Sequence, residues 1–596
     1  MLTQCFFGGK LIVNNLNHRQ KEKYYEKRLP RPEFVREGWQ SLNGEWDFEF
    51  DFGKTGKERR VFEKNSLERK INVPFCPESK LSGIEYKDFI NACWYFKKFK
   101  AERKENERVI LNFEACYYYT EVYINGKYVG KHRGGYTPFS FDITDFLTGD
   151  ENSVHVYVEA DPRDPLQPSG KQSDKYGSYA CYYTRSTGIY APVWIENVPS
   201  VYLKDIKLDP DVDNSALNIR MKISGEGDKK ITLTALYDGK EVGKVNMYSS
   251  GAYVMTRLPL SSLYLWEIEN PRLYDLLVEV ESEHGKDLVG TYFGMRKIEM
   301  DKACLKINGK RVFQRLVLDQ GYYPDGIYTA PSEEAMRNDI VIAKRLGFNG
   351  ARLHERVFER RFLYNADHMG YIVWGEYANW GFDHTRSDGL HYFLPEWLEA
   401  MERDYNHPSL VGWCPFNETW DINGRKQNDE LLSDVYYETK RFDPVRPVID
   451  TSGNYHVVTD IYDSHDYCQD VESFKRRYIH FNDGEIFEKY SARESYGGEP
   501  FMLSEYGGMK WPVKDEGWGY GDGPKNEEEF VYRYSSYNAA LLSNPRICGL
   551  CYIQLYDVEQ ESNGIYFYDR TPKFSEDTMD ALRDSLISAA AVEKEI

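Results

Sequence analysis

Residues 332–377 read SEEAMRNDIVIAKRLGFNGARLHERVFERRFLYNADHMGYIVWGEY, and the fold is decided there. Ser332, followed by acidic residues and apolar positions at 3.6-residue spacing, is a helix start, and Gly347 and Gly370, each before an apolar run, are stops. FNGARLH and YIVWGEY are short apolar runs of strand length, so strand and helix alternate. The alternation continues with LVGWCPF (410–416), RPVIDTS (446–452), TDIYDSHDY (459–467), PFMLSEYG (500–507) and ICGLCYIQL (547–555). Seven or eight such units predict a (β/α)8 TIM barrel over residues 299–596.

Upstream the pattern changes. GEWDFEF (44–50), RVILNFEA (108–115), TEVYINGKYVG (120–130), NSVHVYVEA (152–160) and APVWIENV (191–198) alternate apolar and polar residues, with Asn125-Gly126 and Asn152-Ser153 read as tight connections. Residues 1–200 are therefore expected to form a β-sandwich behind a short leading extension. ALNIRMKISG (216–225) and KKITLTALYDGKEVG (229–243) continue in smaller units, which suits an immunoglobulin-like β-sandwich over 201–298. Three modules agree with the length, since 596 residues are too many for one core.

Composition narrows the function. Lys and Arg number 76 against 95 Asp and Glu, a net charge of −19, which disfavours nucleic acid as a partner. No run approaches the roughly 18 apolar residues of a membrane helix. The start, MLTQCFFGGKLIVNNLNHRQ, has no secretory apolar core, and the ten Cys are scattered. Their only close pair, Cys548 and Cys551, lacks a second pair at zinc spacing and reads as buried free thiols, so a cytoplasmic location is expected. With 48 Tyr and 12 Trp, aromatics suit either carbohydrate-binding faces or a β-rich core.

In a barrel of this kind the active site lies at the C-terminal strand ends. Glu418 follows LVGWCPF and Glu505 follows PFMLS. The strings Asn417-Glu418 and Glu505-Tyr506-Gly507-Gly508 resemble the acid/base and nucleophile motifs of glycoside hydrolase family 2, the β-galactosidase, β-glucuronidase and β-mannosidase group. The resemblance spans nearly the whole chain: RPEFVREGWQSLNGEWDFEFD, EVYINGKYVGKHRGGYTPFSFDIT, TGIYAPVWIE, FGMR and LKINGKRVFQR stand in family order. It implies a jelly-roll sugar-binding domain, an immunoglobulin-like domain and a TIM barrel.

It also implies a retaining exo-β-glycosidase acting on terminal β-linked sugars, with Glu418 as acid/base and Glu505 as nucleophile. Two carboxylates are needed because the glycosidic oxygen leaves poorly without a proton while the anomeric carbon develops positive charge. Glu418 must then hold a proton at neutral pH, and the charge of Glu505 with walls such as Trp413 and Trp420 is expected to raise its pKa. By the same resemblance Asn417 meets the sugar 2-hydroxyl, Arg352 supports the nucleophile and Tyr467 bonds to it, with Tyr462 and His465 competing for that strand end. His354 stands near the sugar-contacting His, one residue closer to the Arg than is usual. Asp319 reads as a hydroxyl ligand or a loop cap, and Trp380 and Trp511 as subsite walls or core.

The resemblance breaks in two places. β-Glucuronidases read the substrate carboxylate with Asn-x-Lys before a string kept here as Gly564, Ile565, Asp569, Arg570, Pro572 and Lys573, but the reading positions are Glu561 and Asn563. An Asp expected six residues before Gly188 is Tyr182, and Gln554-Leu555-Tyr556 stand where relatives often place a Trp. A β-galactosidase is the first expectation, with β-glucuronidase, β-mannosidase or β-galactofuranosidase as alternatives and a non-catalytic carbohydrate-binding protein as the reading from another class. No cofactor or metal is expected, no nucleic acid or membrane partner, and a homo-oligomer is open.

Overall fold

The computed structural model describes residues 30–102, 104–479, 487, 489–511 and 517–594. The expected leading extension, with Cys5, lies outside them. The first module is a sandwich of a six-stranded antiparallel sheet, in the order Arg69–Val73, Gly44–Phe50, Ala92–Lys100, Glu151–Glu159, Tyr119–Ile124 and Lys127–Arg133, on a four-stranded one. Trp46, Phe48, Tyr95, Leu111, Phe113, Val122 and Val156 fill the space between them. Asn125 and Gly126 turn the last hairpin of the larger sheet at φ 50° and 75°, as the primed turn requires.

Asn152 is not a turn. It lies inside strand Glu151–Glu159 and its side chain does the joining, donating to Ala101 O at 2.9 Å and Gly149 O at 2.8 Å and accepting from Asn125 at 2.8 Å. The amide satisfies loop carbonyls while the backbone stays extended.

The second module packs a three-stranded sheet on a four-stranded one. Strand Lys229–Tyr237 alternates buried and half-buried residues, and Ile231, Leu233 and Ala235 face Leu217, Ile219 and Met221. Burial at period two is what the sequence pattern demanded.

The third module is the barrel. Its strands are β1 (Gln314–Asp319), β2 (Gly350–Leu353), β3 (Ile372–Glu376), β4 (Leu410–Cys414), β5 (Thr451–Ser452), β6 (Tyr462–Asp466), β7 (Phe501–Gly507) and β8 (Ile547–Ile553). Seven run parallel in the curled order β4-β3-β2-β1-β8-β7-β6. β5 pairs with Phe416–Asn417 just past β4, and side chains link it to β6: Ser452 Oγ donates to Asp463 Oδ2 at 2.6 Å and Gly453 N to Asp463 Oδ1 at 3.2 Å. All strands but β5 are followed by helices, α1 (Glu333–Arg345), α2 (Arg360–Met369), α3 (Leu390–Asp404), α4 (Asp429–Phe442), α5 (Val471–Ile479), α6 (Glu527–Leu542) and α7 (Glu576–Leu586).

The helix signals read from sequence act as anticipated. Ser332 Oγ accepts from Ala335 N at 3.2 Å and caps α1. Gly370 ends α2 at φ 63°, where a Cβ would fall 1.9 Å from Ile268 O, so only glycine fits.

Candidate active site

The strands deliver a ring of polar side chains to one barrel end. Arg352 comes from β2, Glu376 from the end of β3, Asn417 and Glu418 from just past β4, His465 from β6, Tyr467 from just past it and Glu505 from β7. Alternation along a strand aims every second residue inward, and the barrel interior is otherwise closed by aliphatic and aromatic side chains.

Arg352 organises the ring and is 2% exposed. Its Nε donates to Glu376 Oε1 at 2.6 Å, Nη1 to Glu505 Oε1 at 3.0 Å and Nη2 to Asn417 Oδ1 at 3.0 Å. The guanidinium's fixed fork thus sets the nucleophile candidate and the Asn417 amide in one plane of reference. Asn417 is held further by Asn379, which accepts from its N–H at 2.7 Å, and its own Nδ2 is buried without a partner. A buried, unpaired donor costs about 1–3 kcal/mol, which a ligand acceptor would recover.

Glu505 is buried and ionised. Burial raises its pKa, but the charges of His465, His354 and Arg352 outweigh that and bring it below the usual carboxylate value. Tyr467 donates to its Oε2 at 2.5 Å and is itself stacked on Tyr520 at 3.6 Å between ring centroids. Glu418 is the more open of the two, with 15% of its side chain exposed against 4% for Glu505, and it adopts φ 50°, a backbone region that non-glycine residues avoid. One oxygen of each carboxylate and a ring nitrogen of His465 lie within 4.8 Å of one another.

His465 is the residue whose weight was underestimated from sequence. Its Nδ1 lies 2.7 Å from Glu418 Oε1 and its Nε2 lies 3.0 Å from Ser452 Oγ and 3.5 Å from Glu505 Oε1. The expectation that Glu418 is held protonated therefore fails in this arrangement. Burial raises its pKa, yet the hydrogen bond and charge of His465, with Lys171 and His354 behind, bring it down to about 2. Trp413 adds nothing there, because its indole packs on Trp397 and donates to Asp443.

The remaining predicted residues divide. His354 joins the ring, with Nδ1 3.2 Å from Glu376 Oε2 and 3.9 Å from Glu505 Oε1. Trp380 borders Glu418: its Nε1 donates to Asn417 O at 3.0 Å, and with Tyr182, Phe382, Trp420 and Glu418 it lines a cavity of about 580 Å³. Asp319 and Trp511 are not brought to the carboxylates. Asp319 caps the loop after β1, where its Oδ1 accepts from Gly321 N at 2.9 Å and from the Tyr556 hydroxyl. Trp511 packs on Phe530 and Phe574, and the cavity does not include it.

Three residues went unread. Glu376 ends an apolar strand just as Glu418 and Glu505 do, so the strand-end rule could have found it. Glu355 stands at the spacing from Arg352 that His354 misses by one, and Lys171 gave no local signal: it sits in a first-module loop that crosses to the barrel, where Ser169 N donates to Trp380 O at 2.8 Å and Gly170 N at 3.0 Å. Glu561 is buried and accepts from the Tyr183 hydroxyl and from Asn563 Nδ2 at 2.9 Å. Of the string that follows, Arg570 is tied to Asp339 at 2.9 Å and Lys573 to Asp557 at 2.6 Å.

Comparison with known proteins agrees with this architecture. Residues 80–197 match the sugar-binding domain of glycosyl hydrolases family 2, residues 201–296 the middle domain of that family and residues 298–543 its TIM-barrel domain. The chain is 26% identical over 490 residues to a β-galactosidase of Thermoanaerobacterium thermosulfurigenes, covering 79% of this chain and 65% of that one. It is 26% identical over 494 residues to a β-galactosidase of Thermoanaerobacter pseudethanolicus, covering 80% and 60%. The chain thus spans somewhat under two thirds of the length of these relatives. Among solved structures, a β-glucuronidase from an uncultured Clostridium species superposes with a TM-score of 0.76 at 21% identity, covering 93% of this chain and 98% of that one. With all three domain families matched in order over most of its length, the chain belongs to glycoside hydrolase family 2.

Proposed function

We propose that this chain is a retaining exo-β-glycosidase in which Glu505 attacks the anomeric carbon and Glu418 handles the proton. The observation that carries the reading is the approach of the two carboxylates, with one oxygen of each inside 4.8 Å. Retaining enzymes hold their carboxyl groups about 5–5.5 Å apart, whereas inversion needs roughly 6.5–9.5 Å to admit a water. Arg352 and Tyr467 bond the two oxygens of Glu505 and aim it. The proton needed by the leaving oxygen is the single one shared in the hydrogen bond between His465 Nδ1 and Glu418 Oε1, and it passes through Glu418 to the glycosidic oxygen as the anomeric C–O bond breaks, leaving the pair one proton short. In the second half-reaction Glu418 takes a proton from the attacking water as the Glu505 ester breaks. Asn417 Nδ2, buried with no protein partner, donates to the sugar 2-hydroxyl. The cavity beside Glu418 receives the aglycone.

The preferred substrate is a neutral β-glycoside, with β-galactoside first. Glu561 supports this, because it stands where a carboxylate-reading residue would be needed and is already bonded to Tyr183 and Asn563. One observation favours a β-glucuronide instead: Lys171 enters the site from the first module. Matched aryl β-galactoside, β-glucuronide, β-mannoside and β-galactofuranoside decide it by kcat/KM, and a glucuronide preference would overturn the neutral reading. A 2-fluoro sugar of the best substrate is expected to label Glu505, and a label elsewhere would sink the nucleophile assignment. The nine described cysteines are free thiols, which supports a reducing, cytoplasmic setting.

A further inference from the structure

Two buried titratable groups beside the catalytic ring are only partly paired. Lys171 is 6% exposed, and its Nζ lies 3.4 Å from the centre of the Trp380 ring. Among the described residues no carboxylate comes within the 4.0 Å of an ion pair with it. Glu355 is 1% exposed; its Oε2 accepts from Trp380 N at 3.1 Å while its Oε1 is buried with no hydrogen bond. Trp380 connects the two, with its ring under the ammonium, its N–H on the carboxylate and its indole Nε1 on Asn417 O.

Leaving such groups incompletely paired is costly, so an ordinary core would have paired or removed them. The backbone instead fixes both. Gly170 N donates to Ala378 O at 3.2 Å and to Trp380 O at 3.0 Å, and a Cβ on Gly170 would fall 2.5 Å from Glu355 O. Glu355 itself is held at φ 55°, in the left-handed region.

We propose that Lys171 and Glu355 together bind one hydroxyl of the terminal sugar away from the 2-position, the ammonium donating to the hydroxyl oxygen and the hydroxyl hydrogen going to Glu355 Oε1. A single hydroxyl is both acceptor and donor, so it satisfies the two groups at once and adds no charge. Burial lowers the Lys171 pKa, but Cys181, Glu355, Glu418 and Glu505 around it outweigh that and hold it above the usual lysine value. Burial pushes the Glu355 carboxyl well up and Lys171 draws it back in part, so either of its protonation states can bond the hydroxyl. A substrate carboxylate would bring one more negative charge among these acids. The pair therefore selects a neutral pyranoside, and this inference rests on the glycosidase reading above.

The test crosses enzyme variants with substrate variants. Wild type, Lys171→Met and Glu355→Gln are assayed on the aryl glycoside of the best sugar and on its 3-, 4- and 6-deoxy forms. In the wild type one deoxy form is expected to lose roughly 10- to 100-fold in kcat/KM, the worth of a hydrogen bond to a charged group. Lys171→Met loses a similar factor on the parent sugar and nothing more on that deoxy form, while the other deoxy forms keep their wild-type ratios. Glu355→Gln shows the same pattern, weaker because the amide still offers an oxygen. Equal losses on every sugar would overturn the pair as a reader and leave it structural, with the glycosidase reading intact. A glucuronide preference that Lys171→Met abolishes would overturn the hydroxyl assignment, and a wild type that cleaves no glycoside would overturn the glycosidase reading together with it.

Discussion

Where the two sandwiches meet, Arg36 donates to Asp287 at 2.8 Å and to Glu196 at 2.8 Å, Arg31 adds a bond to Glu196 at 2.5 Å, and Leu203 N one to Asp287 at 2.8 Å. All four carboxylate oxygens there accept at least one hydrogen bond. At the barrel mouth the charges are just as buried and the arginine just as central, but Asn417 Nδ2 and Glu355 Oε1 are left over. Both clusters cost desolvation energy of the same kind. In the first every carboxylate oxygen is bonded and the cluster fixes how modules meet; in the second a carboxylate oxygen and an amide donor are unpaired. What separates this site from that joint is where the unpaired groups stand, beside two carboxylates that approach within 4.8 Å, rather than charge or burial.

The largest effect expected on either side of this contrast is at Glu505. Glu505→Gln removes the attacking oxygen while keeping shape, so turnover of an activated aryl glycoside should fall to the uncatalysed background. The thermal midpoint should fall somewhat, since the carboxylate that Arg352 and Tyr467 bond is gone, but the variant should remain folded at the assay temperature. Activity within tenfold of wild type would show that the barrel mouth is another joint.

His465→Asn comes next. The shorter side chain cannot span Glu418 and Glu505, so the proton store beside Glu418 is lost. Glycosides with alkyl or sugar leaving groups, which need protonation, should lose about 10²-fold in kcat. A dinitrophenyl leaving group departs as its anion and should lose far less. Equal losses on both would mean that His465 only supports the fold.

These residues also mark how far the sequence could be read. The placement of Glu418 and Glu505 at one barrel end was legible because each follows an apolar strand run and stands in a family motif, and Ser332 and Gly370 because helix ends impose local chemistry. His465 was seen but underrated, and its hold on Glu418 crosses 47 positions. Lys171 was invisible because its meaning is a contact between two modules, which no window of sequence contains, whereas Glu355 stands at the usual spacing from Arg352 and was passed over for His354. Asn152 misled because the residue that turns a chain can equally staple two loops from within a strand. Trp511 and Asp319 went to packing and capping, the bland roles that were open for both.

The joint is the place for a smaller, stability-only effect. Burial raises the pKa of Glu196, but Arg31 and Arg36 outweigh it and bring the group from its ordinary 4.5 to about 2. A depressed carboxylate stabilises the fold fully above its unfolded pKa and ceases to as pH falls toward its folded one. The span is worth roughly 3 kcal/mol. Glu196→Gln should lower the thermal midpoint at pH 7 and flatten its fall between pH 4.5 and the acid transition, with kcat/KM of the folded enzyme unchanged. A loss of activity at temperatures where the variant is folded would tie the joint to the site.

The smallest effect, an expected null, concerns divalent metal. Glu418, His465 and Glu505 come together closely enough to look like ligands, and two carboxylates with an imidazole are a reasonable donor set for zinc. Their donors are engaged elsewhere, however. His465 Nδ1 is on Glu418, Arg352 and Tyr467 occupy the two oxygens of Glu505, and the Arg352 guanidinium beside them repels a cation. A metal there would have to break those bonds and would cover the two oxygens that the proposed chemistry needs free. EDTA treatment followed by gel filtration should therefore leave kcat/KM unchanged, and added zinc should inhibit rather than activate. Activity lost to EDTA and restored by magnesium or zinc would place a working ion at the barrel mouth, and the site would then have been incomplete for want of a metal as well as a sugar.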